Sequence, residues 1–391
     1  MRLALIHTQP LFAHEAGVAF TSGAADGLGR AGADVTLLVP RGSGDVYERL
    51  RRLGVPAPPT FRLQYLPPGE YRLGPLHGTW SARFRRQAIK AVRAGNFDAV
   101  IVRDLRLAHA LAFAKTKAKI VYELHNVFTL GQDDPQALKL FPPKKLKMHE
   151  SRVALEAETL MAVDGAIALT AGLRDMLTPL FGLDGRVAAA GSALHPLDAP
   201  AKSERPTDIA YIGSLHPHKG VGVIVEALTL LPPEVRLRLI GQGQHHEPLA
   251  QMAAQMGVEE RLVLDGWREP AELPAALANC FAAAVPLEDC FYNRYVTSPM
   301  KLFDYARAGV VPVVPRLPVF AELFPDERGA VLVHEPSAAS FAAALRRLVE
   351  DREHRLAKEK ELAAFAATHT WAERGKSLLP FFAALTKRTD R

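Results

Sequence analysis

Short apolar runs alternate along the chain with longer segments whose apolar positions recur at helical spacing, a pattern that predicts strands and helices in regular succession. In the first half the runs 2–7, 35–39, 97–102, 119–125 and 164–170 read as strands. The runs 209–212, 235–240, 261–264, 280–286 and 310–315 repeat the pattern in the second half. Strands that are apolar on both faces belong to parallel sheets covered by helices. The opening is a β-α-β unit, with a helix reaching about Ala31, a break at Gly32 and a strand from Val35. The stretch Ser298 to Gly309 reads as a short helix between the last two apolar runs: Ser298 is the expected N-cap, Pro299 the first helical residue and Gly309 the stop. Helical spacing puts Lys301, Asp304 and Tyr305 on one face and Leu302, Phe303 and Ala306 on the other. In open parallel sheets ligands bind at the carboxyl edge, so the amides opening this helix are expected to face a ligand.

The pattern lapses once, from Gly191 to Pro206, where prolines 196, 200 and 206 with Lys202, Ser203 and Glu204 mark a linker. The division expected is a domain over 1–195, a linker over 196–206 and a domain over 207–370, each large enough for its own core.

At 48% hydrophobic and 23% charged residues, the composition is that of an ordinary globular protein. No apolar run approaches the roughly 18 residues needed to cross a bilayer, and the N-terminus enters a strand directly, so a cytoplasmic protein is expected. Cys280 and Cys290 are too few for a disulfide framework, and Cys280 sits in an apolar run as a buried thiol would. The net charge of +6 lies in the first half. It gathers at Arg83, Arg85, Arg86, Lys90 and Arg93, and again at Lys144, Lys145 and Lys147, interleaved with Trp80, Phe84, Leu140 and Phe141. Such a patch is either a surface for an anionic membrane or acceptor, which would place the protein peripherally on the inner face of the cell membrane, or a solvated helix face. No nucleic-acid-binding motif accompanies it, and no nucleic-acid partner is expected.

Lys219-Gly220 at the mouth of a helix suits a pyrophosphate: the lysine brings charge, the glycine allows close backbone approach, and the helix dipole adds to both. Neither GxxxxGK[ST] nor GxGxxG is present, which argues against a P-loop and a dinucleotide fingerprint. Gly17, where the first loop meets its helix, either lets the backbone approach a phosphate or sugar or serves only the turn. Strand alternation puts Glu123 and His125 on one side, with His125 at the carboxyl end. The Asp304 carboxylate suits the paired hydroxyls of a ribose, or else forms an (i, i+3) ion pair with Lys301. Glu150, Glu156 and Glu158 read as mostly solvated. His216, His218, His245 and His246 lack further ligands at metal-binding spacing, and no metal site is expected.

The ordered set Ile212-Gly213-Ser214, Lys219-Gly220, Ile240-Gly241-Gln242-Gly243, Leu264-Asp265-Gly266-Trp267, Val285-Pro286-Leu287 and Ser298 through Gly309 resembles the donor domain of the retaining family 4 (group 1) glycosyltransferases. Tyr122-Glu123-Leu124-His125-Asn126 and the segment from Glu158 to Thr170 resemble the family's first domain, and Trp371 to Leu385 its returning tail. The resemblance implies an α/β protein of GT-B fold: two Rossmann-like β/α/β domains facing a cleft, with a C-terminal helix over 371–391 crossing back to the first domain. It implies a metal-independent, retaining hexosyltransferase-type enzyme. The donor would be a nucleotide-diphosphate sugar of UDP or GDP, a substrate rather than a cofactor, and the acceptor a cell-envelope polysaccharide or a glycolipid-type, lipid-linked glycan.

By the same resemblance, Lys219 holds the donor diphosphate, Asp304 stands where a glutamate usually binds ribose, and His125 touches the transferred sugar. Trp267 and Arg268 lie in the base loop, and Gly17 lets the first domain approach the phosphates. Gly213, Ser214, Gly220, Gly241 and Gly243 shape the donor loops, which Pro299, Lys301 and Leu302 complete; Asn293, Thr297 and Ser298 contact the sugar. Three departures stand out: Ser214 replaces a basic residue, Val296 a glutamate, and Asp304 is shorter than glutamate by about one C–C bond, roughly 1.5 Å. They keep two alternatives in view, a nucleotide-sugar-binding scaffold without transfer and a sugar-nucleotide epimerase.

Overall fold

The computed structural model describes residues 1–67, 70–73, 76–79, 81–131, 146–196 and 201–388. Trp80, Leu140, Phe141, Lys144 and Lys145 of the basic patches lie outside the described residues, as does the side chain of Lys147. The chain forms two compact units: Met1–His195 with Cys290–Ser298 and Thr370–Arg391, and Pro196–Asp289 with Pro299–His369.

The first unit is built on strands β1 (Arg2–Ile6), β2 (Asp34–Pro40), β3 (Phe61–Leu66), β6 (Ala99–Val102), β7 (Lys119–Leu124), β8 (Gly165–Ala168) and β9 (Val187–Ala189), with a small antiparallel hairpin of β4 (Glu70–Leu73) and β5 (Leu76–Thr79) apart from the sheet. The seven are parallel in the order β3-β2-β1-β6-β7-β8-β9. β6 and β8 are buried along their whole length, as uniformly apolar runs require. The edge strands β3 and β9 escape the hydrophobic pattern because β3 is polar and exposed at its centre and β9 is only three residues long.

The helix Trp371–Lys387 packs on the helix Ala16–Arg30, and glycines make the approach possible. A Cβ at Gly27 would lie 2.1 Å from the Trp371 carbonyl oxygen, and one at Gly375 would lie 2.4 Å from that of Gly27. The segment from Cys290 also belongs here, although the linear pattern places it in the second domain. Val296 is buried in the core cluster of the first unit, and the Thr170 hydroxyl donates to the Tyr295 carbonyl. Glu156 differs from its expected solvated position: it is fully buried and accepts from the amides of Phe128 and Thr129, both at 2.7 Å, fixing the loop after β7.

In the second unit, β10 (Asp208–Ile212), β11 (Arg236–Ile240), β12 (Leu262–Gly266), β13 (Cys280–Ala284), β14 (Val311–Pro315) and β15 (Val331–Val333) form a parallel sheet in the order β12-β11-β10-β13-β14-β15. The core lies between this sheet and helices such as Val221–Leu228 and Ala338–Glu350. At the start of β10, buried Asp208 is held by Arg236 at 2.9 Å and Arg238 at 3.1 Å.

Candidate functional site

Glycine geometry shapes the carboxyl edge of the second sheet. Gly213 (φ +137), directly after β10, donates its N–H to Ile240 O at 2.9 Å. Gly241 (φ +153) follows β11, and a Cβ there would strike Gly213 O at 1.9 Å. A Cβ at Gly243 would come within 2.1 Å of Leu215 O. Gly220 adopts φ +68 with its Cα against the end of β13, 2.1 Å separating an added Cβ from Pro286 O. It closes the turn Pro217–Lys219 and opens the helix Val221–Leu228. Lys219, Gly220, Gly213, Ser214, Gly241 and Gly243 are thus gathered on one rim, with Ser214 exposed.

Lys301 reaches the same rim. Its Nζ lies 4.1 Å from the centroid of the Tyr211 ring, and a Cβ on Gly213 would sit 3.0 Å from it. Burial and then the charge of Lys219 depress the Lys301 ammonium to about 7. Lys219 and Lys301 thus stand on the same rim, and the charge of Lys219 disfavours that of Lys301.

The helix Met300–Arg307 differs in detail from its expected form. Pro299 is the N-cap and no side chain caps the helix. The Ser298 hydroxyl oxygen accepts from Ser192 N at 2.8 Å, within the first unit. Leu302 is fully buried, and its amide is spent on Pro299 O at 3.1 Å, so it offers nothing to a ligand. Tyr305 leaves the face of Lys301 and Asp304 for the core, where its hydroxyl oxygen accepts from Ile212 N at 2.7 Å. Asp304 pairs with Arg307, at 3.0 Å, rather than with Lys301. Burial pushes the Asp304 carboxyl up to about 6 in spite of Arg307. Arg307, a turn further along the helix, also donates to Pro270 O at 2.8 Å; its role rests on that tertiary contact, which no local pattern shows. Trp267 and Arg268 are exposed just beyond β12, with Trp267 at 39%.

Asn293, Thr297 and Ser298 fall in the first unit and not with Lys219. Asn293 lies in the π-helical turn Tyr292–Val296, which Thr297 N closes on Tyr292 O at 2.9 Å. Val296, the position of the missing glutamate, is 1% exposed.

At the carboxyl edge of the first sheet a second set of polar groups is packed. Glu123, 2% exposed, accepts from Arg374 at 2.6 Å on Oε1 and contacts His125 Nε2 at 3.2 Å on Oε2. Arg374 also donates to Gly191 O at 2.7 Å. Burial raises the Glu123 carboxyl, but Arg374, His125 and Arg103 outweigh it and hold the group at about 2. Burial carries His125 down to about 4 against the pull of Glu123, and it is neutral near pH 7. Phe20 packs edge-on against His125 at 4.5 Å, and the Tyr292 hydroxyl donates to His125 O at 3.2 Å. Gly17 lies in the first turn of the helix Ala16–Arg30, and its carbonyl accepts from Arg103 at 2.8 Å. Arg103 and Arg374 have no sequence motif to announce them; the available signal is an arginine directly after β6, at the ligand edge of its sheet. Among the described residues, no group of three or more His, Cys, Asp or Glu converges as a metal site.

The chain matches the family model "Glycosyltransferase Family 4" over residues 20–189 and "Glycosyl transferases group 1" over residues 206–351. It is 29% identical over 177 residues to a D-inositol 3-phosphate glycosyltransferase of Corynebacterium glutamicum, covering 42% of this chain and 40% of that protein. The match thus spans about two fifths of the length of the curated relative. Among solved structures it resembles Anabaena HepE in complex with UDP and glucose (TM-score 0.68, 16% identity, 98% of this chain and 100% of that chain covered). It likewise resembles a mutant S. aureus TarM in complex with fondaparinux, α-GlcNAc-glycerol and UDP (TM-score 0.72, 9% identity, 97% and 99% covered).

Proposed function

This chain belongs to the family 4, group 1 glycosyltransferases of GT-B fold, and on that premise we propose that it moves a sugar from a nucleotide-diphosphate donor to a cell-envelope polysaccharide or glycolipid-type acceptor, with retention of configuration. The single observation that carries the donor assignment is Lys301 Nζ held over the Tyr211 ring and against Gly213, on the rim that Gly213, Gly220 and Gly241 open beside Lys219. A diphosphate placed there gains two ammonium partners and the N-terminus of the helix Val221–Leu228. Lys301 supplies the cation that Ser214 does not. Asp304, as carboxylate, accepts from the ribose hydroxyls, and Trp267 offers an exposed ring for the base.

During transfer the bond from the sugar's anomeric carbon to the diphosphate oxygen breaks and one to the acceptor oxygen forms on the same face, while the acceptor proton passes to the departing phosphate. The sugar traverses an oxocarbenium-like state. Lys219 and Lys301 stabilise the charge that grows on the leaving group, the office a metal ion serves elsewhere. His125, neutral and held by Glu123, contacts the transferred sugar.

The acceptor is proposed to lie at a membrane surface. Among the described residues no helix is long and apolar enough to cross a membrane. The helix Ser81–Ala94 buries Phe84, Ala88 and Val92 and turns Arg83, Arg86 and Lys90 outward, a spacing that suits anionic headgroups. Arg93 is tied instead to Ala114 O at 3.1 Å.

The test is incubation with UDP-, GDP- and ADP-sugars with measurement of released nucleotide, and of the product's anomeric configuration by NMR. Nucleotide binding without release in the presence of any acceptor would leave a binding protein, and a changed free sugar nucleotide an epimerase.

A further inference from the structure

Arg307 is a buried cation with two commitments. Its side chain is 6% exposed, and its carboxylate partner among the described residues is Asp304, a turn back on the same helix, whose Oδ1 accepts from Nη2 at 3.0 Å. The same Nη2 donates to Pro270 O at 2.8 Å, and the Nε has no hydrogen-bond partner among the described residues. A guanidinium taken this far out of water is costly to keep, and an apolar side chain of similar length would fill the space without that cost. What the guanidinium adds is the joining of its two acceptors.

Those acceptors belong to different parts of the proposed donor site. Asp304 commits Oδ1 to Arg307, while its Oδ2 has no hydrogen-bond partner among the described residues and its side chain is 21% exposed, so one oxygen is held and the other is left for a ligand. Pro270 ends the loop that begins after β12 with Trp267 and Arg268, both exposed. The start of that loop is fixed to the glycine rim, where Gly241 N donates to Gly266 O at 2.8 Å. Its far end is the turn Pro270–Glu272, in which Glu269 and Glu272 each accept from the other's amide, Glu269 N reaching Glu272 Oε2 at 2.9 Å. Arg307 ties this end of the loop to the helix Met300–Arg307.

We propose that Arg307 is a positioning residue for the nucleoside of the donor: one guanidinium sets the Asp304 carboxylate and the loop carrying Trp267 at a fixed separation, so that ribose and base are recognised together. That role rests on the donor reading of Asp304 and Trp267 above. Asp304 has one bond less of reach than a glutamate, and a cation holding one of its oxygens fixes where the other stands. A carboxylate and a loop that are ordered before the nucleotide arrives do not have to be ordered by it, which raises affinity without any direct contact from Arg307.

Calorimetry on the full chain and on Arg307→Met, with thermal melts alongside, tests this with UDP, GDP and ADP and with pyrophosphate as the probe of the lysine rim alone. In Arg307→Met the nucleotide that binds the native chain best loses about tenfold or more in affinity, the scale of one lost charge-assisted hydrogen bond, while pyrophosphate stays within about twofold. Asp304→Asn and Trp267→Ala each weaken nucleotide binding in the native chain and add less than about twofold in the Arg307→Met chain, because the groups they remove are already out of place. The charge of Arg307 pulls the Asp304 carboxyl down against burial. The acid limb of kcat/KM therefore moves to higher pH in Arg307→Met and stays in Arg307→Lys, which keeps the charge and guards against a failure to fold; Lys301 and Tyr305 on the same helix and Tyr211 on β10 are unchanged in both. Unchanged nucleotide affinity, an equal loss of pyrophosphate, or additive losses in the double variants would overturn the role of Arg307 and leave the donor site standing. A native chain that binds pyrophosphate but none of the three nucleotides would overturn the donor reading, and the role with it.

Discussion

In the proposed donor site, single side chains set the pH range in which a nucleotide would be held. In the proposed roles Asp304 has to be ionised to accept from ribose, and burial pushes it up to about 6, while Lys301 has to be protonated to meet phosphate, and burial with Lys219 brings it down to about 7. kcat/KM, which reports the free enzyme, is therefore expected to rise with pH through about 6 and fall through about 7, a narrow bell. Asp304→Asn should flatten the acid limb and Lys301→Met the alkaline one. Bound phosphate favours the Lys301 ammonium, so nucleotide binding above about pH 7 should take up a proton, measurable by calorimetry in buffers of different ionisation enthalpy. Lys219→Ala should lower turnover about a hundredfold or more, since a donor to developing charge is worth about 2.7–4 kcal/mol, with the melting temperature unchanged. Val296→Glu would restore a carboxylate common in the family but bury it in an apolar cluster; a depressed melting temperature with no gain in turnover is the outcome expected.

At the level of elements, the sequence made most of the sheet strands and the turn at Gly220 legible because both are written in contiguous residues: apolar runs for strands, Lys219-Gly220 for the turn. What it hid was long-range. Arg374 and Glu123 are 251 positions apart, yet meet at 2.6 Å, and helical spacing puts Tyr305 on the ligand face because it cannot show that β10 offers the hydroxyl a hydrogen bond. Local sequence makes Ser298 a cap, but the partner that claims it, Ser192, lies 106 residues away. The contact of the first and last helices depends on Gly27, where a methyl group would overlap the Trp371 carbonyl. Gly27→Ala should destabilise the protein by about 1–3 kcal/mol, the usual range for overpacking, seen as a lower denaturation midpoint. Arg374→Met, which leaves the buried Glu123 carboxylate with only His125 and the more distant Arg103, should destabilise the protein by up to about 3–5 kcal/mol.

Over the whole molecule, charge and topology carry different messages. The basic excess sits on the first unit, where the outward row Arg83, Arg86 and Lys90 predicts co-flotation with vesicles containing anionic lipid. That association should weaken with salt and with replacement of the three residues by glutamine. The chain's path is less visible in composition. It leaves the first unit after His195, touches it again over Cys290–Ser298, and returns at Thr370. The helix that seals Glu123 and lies against the helix Ala16–Arg30 is translated only after every strand of the second unit. On the ribosome, the half that is synthesised first must therefore wait, with one helix-sized apolar groove uncovered, until the other half has emerged. A nascent chain halted before Thr370 should be correspondingly prone to chaperone capture and proteolysis.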